Sequence, residues 1–333
     1  MKSAKITGFI ALTALLVFGL VPGRKVLAAE DLLCSTFPVY LFTRSVSEGR
    51  QVFEIKLMLD SALGCPHDYA PTPADLNRLS QAKFLVINGL GMESFLGRAL
   101  SVAREDLQVI DASGGTADKA APAAPRILSR QDAVDDAQKF AAMHDHEHDH
   151  AHSHVQANPH LFASPSTAAL MVETIAGGLS AVDPGGADVY RANAARLSGE
   201  LTAMAARMKE AGSRLRNPKV IVSHSIFEYL AADIGLTVVA SIEEEDGAEP
   251  SASRLAELTA LARREGVRAI LCDPQGNQAL ARTLGDEVKI PVVVLDPVES
   301  GPTGASLDYY QNAMEGNLKT LLDLLEKNPA GQK

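Results

Sequence analysis

Eight short apolar runs, in two sets of four with helical segments between them, constrain this chain more than any other feature. The first set covers residues 32–36, 53–59, 84–88 and 107–111; the second covers 219–223, 236–241, 268–272 and 292–296. In the run at 53–59, Phe53, Ile55, Leu57 and Leu59 alternate with Glu54, Lys56 and Met58, the pattern of a half-buried strand. Helices are predicted at 73–82, 93–104, 251–265 and 278–288. Thr72 followed three residues later by Asp75, with Pro73 at the first helical position, marks a helix start. Strand–helix alternation predicts parallel sheets with helices on both faces. The fold class is α/β: two similar lobes, each a mainly parallel four-stranded sheet with flanking helices, joined by one long backbone helix.

That helix is predicted over 187–215, where Tyr190, Ala194, Leu197, Leu201, Met204 and Met208 recur at helical spacing. At 1.5 Å per residue it is roughly 40 Å long, enough to span a whole protein. The organisation expected is a signal peptide over 1–28, an N-terminal lobe over 29–183, a linking helix over 184–216 and a C-terminal lobe over 217–333. Within the first lobe, residues 114–157 read as a mobile loop. They hold an Ala/Pro run and then HDHEHDHAHSH, a composition from which no core can be built.

Lys2 and Lys5, the apolar run at 8–21 and the small residue Ala28 read as a secretory signal, expected to be cleaved to leave a soluble, exported protein. The run is short for a membrane span, and Leu33 is too bulky for Cys34 to be a lipoprotein cysteine. Thirty-one basic against 41 acidic residues give a formal net charge of −10, which argues against nucleic acid or an anionic membrane as the main partner. With no Trp and 5% aromatics, large stacking platforms for sugars or bases are not expected. The three cysteines, Cys34, Cys65 and Cys272, are too few for a disulfide framework. A Cys34–Cys65 bridge is one reading for an oxidising compartment; buried free thiols are the other, and the one preferred.

Six of the nine histidines lie in the His-rich loop: His144, His146, His148, His150, His152 and His154. The other three have distinctive settings. His67 stands in GCPHDYAPTPADL, after the strand-like run at 53–59; His160 stands in NPHLFASP; His224 directly follows the run at 219–223. Asp296 closes the last run. Open α/β sheets bind ligands at the carboxyl ends of their strands, and two of these four residues come from each lobe. Three imidazoles and one carboxylate suit tetrahedral Zn²⁺, whereas Mn²⁺ or Fe²⁺ prefers more oxygen. Each has an ordinary reading too: a core or surface histidine, and for Asp296 before Pro297 a cap or turn residue. The acidic run at 243–246 reads as a solvated face, and Glu228, four residues after His224, as an acceptor that orients it. No HExxH stands outside the His-rich run and no G-x-S-x-G pattern is present, so neither a secreted zinc hydrolase nor another enzyme is expected.

Several phrases, in order, resemble the zinc and manganese solute-binding proteins of ABC importers, the cluster A-I, ZnuA-like group. They are PHDYAPTPADL, VINGLGMESFL, NPHLFASP, VSHSIFEYLAADIGL and EPSASRLAELTALARREGVRAIL. The resemblance covers nearly all of the chain after residue 28. It implies two α/β lobes on a backbone helix and a metal held by His67, His160 and His224, with Asp296 or water completing the site. It implies Zn²⁺ as the transported ligand, with Mn²⁺ or Fe²⁺ as the alternative, and a histidine-rich loop as the mark of zinc binders. The partners implied are a membrane permease of a zinc importer and a periplasmic zinc chaperone, with the protein itself a monomer. Cys65 departs from the pattern, standing where many relatives carry Asp; a thiolate is a good zinc ligand, but Pro66 directs it away from His67.

Overall fold

A computed structural model describes residues 29–63, 66, 69–114, 125–144, 158–215, 217–243 and 250–327. The signal segment, Cys65, His67 and His146 to His154 lie outside them. The first lobe runs β1 (Glu30–Cys34), α1 (Phe37–Val46), β2 (Phe53–Leu57), α2 (Pro73–Gln81), β3 (Phe84–Ile87), α3 (Leu96–Ala99), β4 (Gln108–Asp111), β5 (Arg126–Ser129), α4 (Arg130–His144) and α5 (Pro165–Val182). Next come α6 (Ala187–Ser213), β6 (Lys219–Val222), α7 (Glu228–Ile234), β7 (Thr237–Ser241), α8 (Ala252–Glu265), β8 (Ala269–Cys272), α9 (Gln278–Val288), β9 (Val292–Val294) and α10 (Tyr309–Lys327).

The first sheet has the order β2-β1-β3-β4-β5 and the second β7-β6-β8-β9. All pairings are parallel except β4 with β5. Each sheet thus places its first strand inside its second, so the direction in which successive strands are added reverses at β1/β3 and again at β6/β8, the positions where open α/β sheets leave a crevice. The continuous apolar character of β3 and β8, buried at all four residues, is that of interior parallel strands. Cys34 and Cys272 end β1 and β8 as buried free thiols, which burial pushes up to about 12 and about 11.

Two elements depart from the expected layout. The first sheet has five strands, and β5 and α4 occupy part of the stretch read as loop. Arg126 bonds Asp111 and, through both terminal nitrogens, Asp136, while Leu128 and Ala133 enter the core. The predicted helix at 93–104 is broken into α3 and a 3₁₀ turn at Leu100–Val102. Glu93 is drawn inward instead, accepting from Ser35 Oγ at 2.6 Å and from the backbone N–H groups of Asn88 and Gly89.

α6 has 27 residues and buries the face predicted for it, from Tyr190 to Met208. One apolar core runs through both lobes, joining Leu32 and Phe42 to Tyr190, Met204, Leu271, Val293 and Tyr310. Side chains also cross the boundary. Phe37 meets Tyr309 and Phe42 meets Tyr310 edge-on, at 5.6 and 5.1 Å. Tyr310 donates to the Phe162 carbonyl at 2.7 Å, and Arg44 to that of Ala305.

At the start of α6, Arg50 grips Asp183 through two bonds of 2.8 Å, and Tyr190 donates to the same carboxylate. Arg50 holds the Asp183 carboxyl below the usual carboxylate range, against the effect of burial. A depressed folded value means the stabilisation is present above the unfolded value, near ~3.9, and is lost as pH falls through the folded one. Arg50→Gln should therefore lower the melting temperature at pH 7, with the deficit shrinking below about pH 4. Thermal unfolding of both chains across pH 3–7 checks this; a deficit independent of pH would refute it.

Candidate metal centre

His160 and His224 meet at the lobe boundary with ring centroids 5.0 Å apart and planes at 83°. His160 is 1% exposed and sits in the turn before α5. His224 follows β6 at the crevice position of the second sheet and caps the 3₁₀ turn Ser225–Phe227. Its Nδ1 accepts the Ile226 N–H at 3.3 Å, a long bond that places the ring proton on Nε2 while it lasts. Burial pushes the His224 imidazole down, against the pull of Asp273 and Glu228, which favours its neutral form.

The second lobe adds carboxylates. Asp273, after β8, accepts from Ser223 Oγ at 3.2 Å and from the N–H groups of Gln275 and Gly276. The Asp296 carboxylate accepts the Val298 N–H at 2.8 Å, and its backbone is tied on both sides to the Asn317 amide. Burial, with Asp273 nearby, pushes Asp296 up. Glu299 is pushed up to about 8 by burial and by Asp273, Asp296 and Glu243. Such crowding disfavours anions and is relieved by an arriving cation.

Among the described residues no three His, Cys, Asp or Glu side chains converge closely enough to hold a metal ion. The structure thus brings together two of the four predicted ligands, His160 and His224; His67 is outside the described residues, and neither Asp296 nor any other described carboxylate joins the pair. Glu299 was not singled out in the sequence. It lines a small cavity of about 10 Å³ with Pro66, the residue before His67, and Phe162, two after His160. Its signal was only a carboxylate three residues beyond Asp296. Glu228 also differs from expectation: its Oε2 accepts from Asn158 Nδ2 at 2.9 Å, so it bears on His160's loop as well as on His224.

Two parallel α/β lobes on one backbone helix, with paired imidazoles at the boundary, define the two-lobed class of solute-binding proteins. The family model described as ZnuA, zinc-uptake complex component A, periplasmic, matches residues 32–324, and the chain belongs to that family. The family is one of metal-binding solute-binding proteins and not of enzymes. The zinc-binding lipoprotein AdcA of Streptococcus pneumoniae serotype 4 is 29% identical over 295 residues, covering 87% of this chain and 55% of AdcA. The chain therefore spans little more than half the length of that relative. A crystal structure of ZnuA superposes with a TM-score of 0.66 at 25% identity, covering 88% of this chain and 98% of the other. Zn(II)-bound AdcA from Streptococcus pneumoniae superposes with a TM-score of 0.65 at 27% identity, covering 90% of this chain and 58% of that one. Among the described residues no helix is long and apolar enough to cross a membrane.

Proposed function

We propose that this protein is a periplasmic, high-affinity zinc-binding protein that delivers Zn²⁺ to an ABC importer. The observation that carries the reading is the 5.0 Å approach of two imidazoles, one deeply buried, at the lobe boundary. His67, His160 and His224 supply three nitrogens, and a carboxylate of the second lobe completes a closed tetrahedral shell with no position left for reaction. Asp296 is one candidate for that carboxylate. Glu299, which lines the cavity beside Pro66, is the other.

The chain divides as a signal over 1–28, lobes over 29–183 and 217–333, and a linking segment over 184–216. A permease with an ATPase behind it is the partner, and a periplasmic zinc chaperone the donor; the protein acts as a monomer.

His144, His146, His148, His150, His152 and His154 gather further zinc weakly and raise its local concentration. Anchoring of both flanks beside one loop supports this role. Upstream, Phe140 of α4 lies over Gly91, where a Cβ would stand 2.9 Å from the ring; downstream, Asn88 donates to the Pro159 carbonyl at 2.8 Å.

Titration calorimetry checks the reading on the exported chain and on one lacking residues 144–154. Zinc should fill one tight site in both, the weak phase should vanish with the loop, and equimolar manganese should not displace the tight zinc. A tight site that disappears with the loop, or that manganese empties, would overturn it.

A further inference from the structure

One side chain touches both the His160 ring and the turn that carries His224. Asn158 Oδ1 accepts the backbone N–H of His160 at 2.9 Å, and Asn158 Nδ2 donates to the Ser225 carbonyl at 2.8 Å. Both partners are backbone groups with fixed roles, so the orientation of the amide is settled. The same Oδ1 lies 2.7 Å from His160 Nδ1. An oxygen acceptor at that distance requires Nδ1–H, which leaves the lone pair of His160 on Nε2.

Nδ2 meanwhile reaches the turn that carries His224. Besides the Ser225 carbonyl it donates to Glu228 Oε2, and Tyr229 Oη donates to the Asn158 carbonyl at 2.9 Å. One turn further along α7, Asp233 accepts from Ser164 Oγ, from Ser166 Oγ at 2.6 Å and from Ser166 N–H at 3.0 Å. Segment 158–166 is thus fastened to α7 at two places, with His160 between them.

We propose that Asn158 is the positioning residue of this site: its carbonyl sets the tautomer of His160, and its amide nitrogen fixes His160 against the turn bearing His224. This rests on the reading that those two imidazoles hold the ion. Partners of this kind around a metal-bound histidine are worth about 10–100-fold in metal affinity.

The test uses the zinc-free exported chain and its Asn158→Ala, Asn158→Asp and His160→Ala variants. Long-range ¹H–¹⁵N spectra of the histidine rings report the tautomer, and competition with a chelator reports zinc affinity. The parent should show His160 protonated at Nδ1 alone. Asn158→Ala should show averaging between tautomers and bind zinc about 10–100-fold more weakly. Asn158→Asp, which keeps the acceptor and loses the donor, should keep the tautomer and still bind zinc more weakly than the parent. An unchanged tautomer or unchanged affinity in Asn158→Ala, with His160→Ala defective, overturns this inference and spares the site. Undiminished zinc binding by His160→Ala overturns the site reading and this inference with it.

Discussion

Zinc titrated into a chain carrying His67→Ala, His160→Ala and His224→Ala together should give no tight binding phase, only the weak heats of the His-rich loop. Each ligand alone should cost more than the roughly 10–100-fold expected of an outer hydrogen-bond partner. The surroundings favour a cation: burial pushes the His224 ring down, toward its neutral form, and Glu299 is crowded by acidic neighbours. Removing the imidazoles takes away the directed lone pairs and leaves only that diffuse field. His160→Ala needs the closest control, since its ring is almost fully enclosed. Its loop keeps other anchors, including Ser164 and Ser166 on Asp233, so the fold should survive. Calorimetry with circular dichroism as the check on folding decides the matter, and tight zinc binding by the folded triple variant would sink the site.

The second large effect is expected on the linking helix, where two glycines should respond with opposite signs. At Gly212 the helix passes so close to the end of α7 that an added Cβ would overlap the Ile234 carbonyl oxygen and lie 2.8 Å from its carbon. Backbone cannot swing aside as a side chain can, so Gly212→Ala must part α6 from α7. Overpacking of this kind costs about 1–3 kcal/mol; against backbone it falls at the upper end, which for a chain of this size is about 5 °C in melting temperature. Because α7 carries Glu228, Tyr229 and Asp233, zinc affinity should fall as well. Gly199 lies on the exposed face of the same helix, with nothing within 4 Å of where a methyl group would stand. There Ala restores ordinary helix propensity, worth up to about 1 kcal/mol, and Gly199→Ala should melt slightly higher with unchanged affinity. Equal behaviour of the two variants would contradict the close α6–α7 approach.

The strands were legible because interior parallel strands write themselves as unbroken apolar runs, as in 84–87 and 269–272. The linking helix was legible from the recurrence of Tyr190, Leu197, Leu201 and Met208 on one face. β5 and α4 were not. They lie between an Ala/Pro run and a histidine run, and β5 is anchored by Arg126 ion pairs that no periodicity records. The break at α3 was equally hidden, since it depends on Glu93 turning in to satisfy N–H groups five and four residues earlier. At the site, His160 and His224 stood out as isolated histidines in turn-rich phrases. Asn158 and Glu299 carry no such mark: their surroundings are set only once the segments at 158–166, 224–234 and 296–299 have been brought together.

The core that joins Leu32 to Tyr310 has a consequence for how the molecule fails. The helices that cover each sheet, α1 and α5 in one half and α7 in the other, pack on α6, and α5 also meets α7 and α1 meets α10, so the two halves share one core and should unfold together. Cooperativity therefore extends over the whole chain. A lesion in one half lowers the melting point of both, and a clipped fragment would not persist as a half-site scavenger of metal.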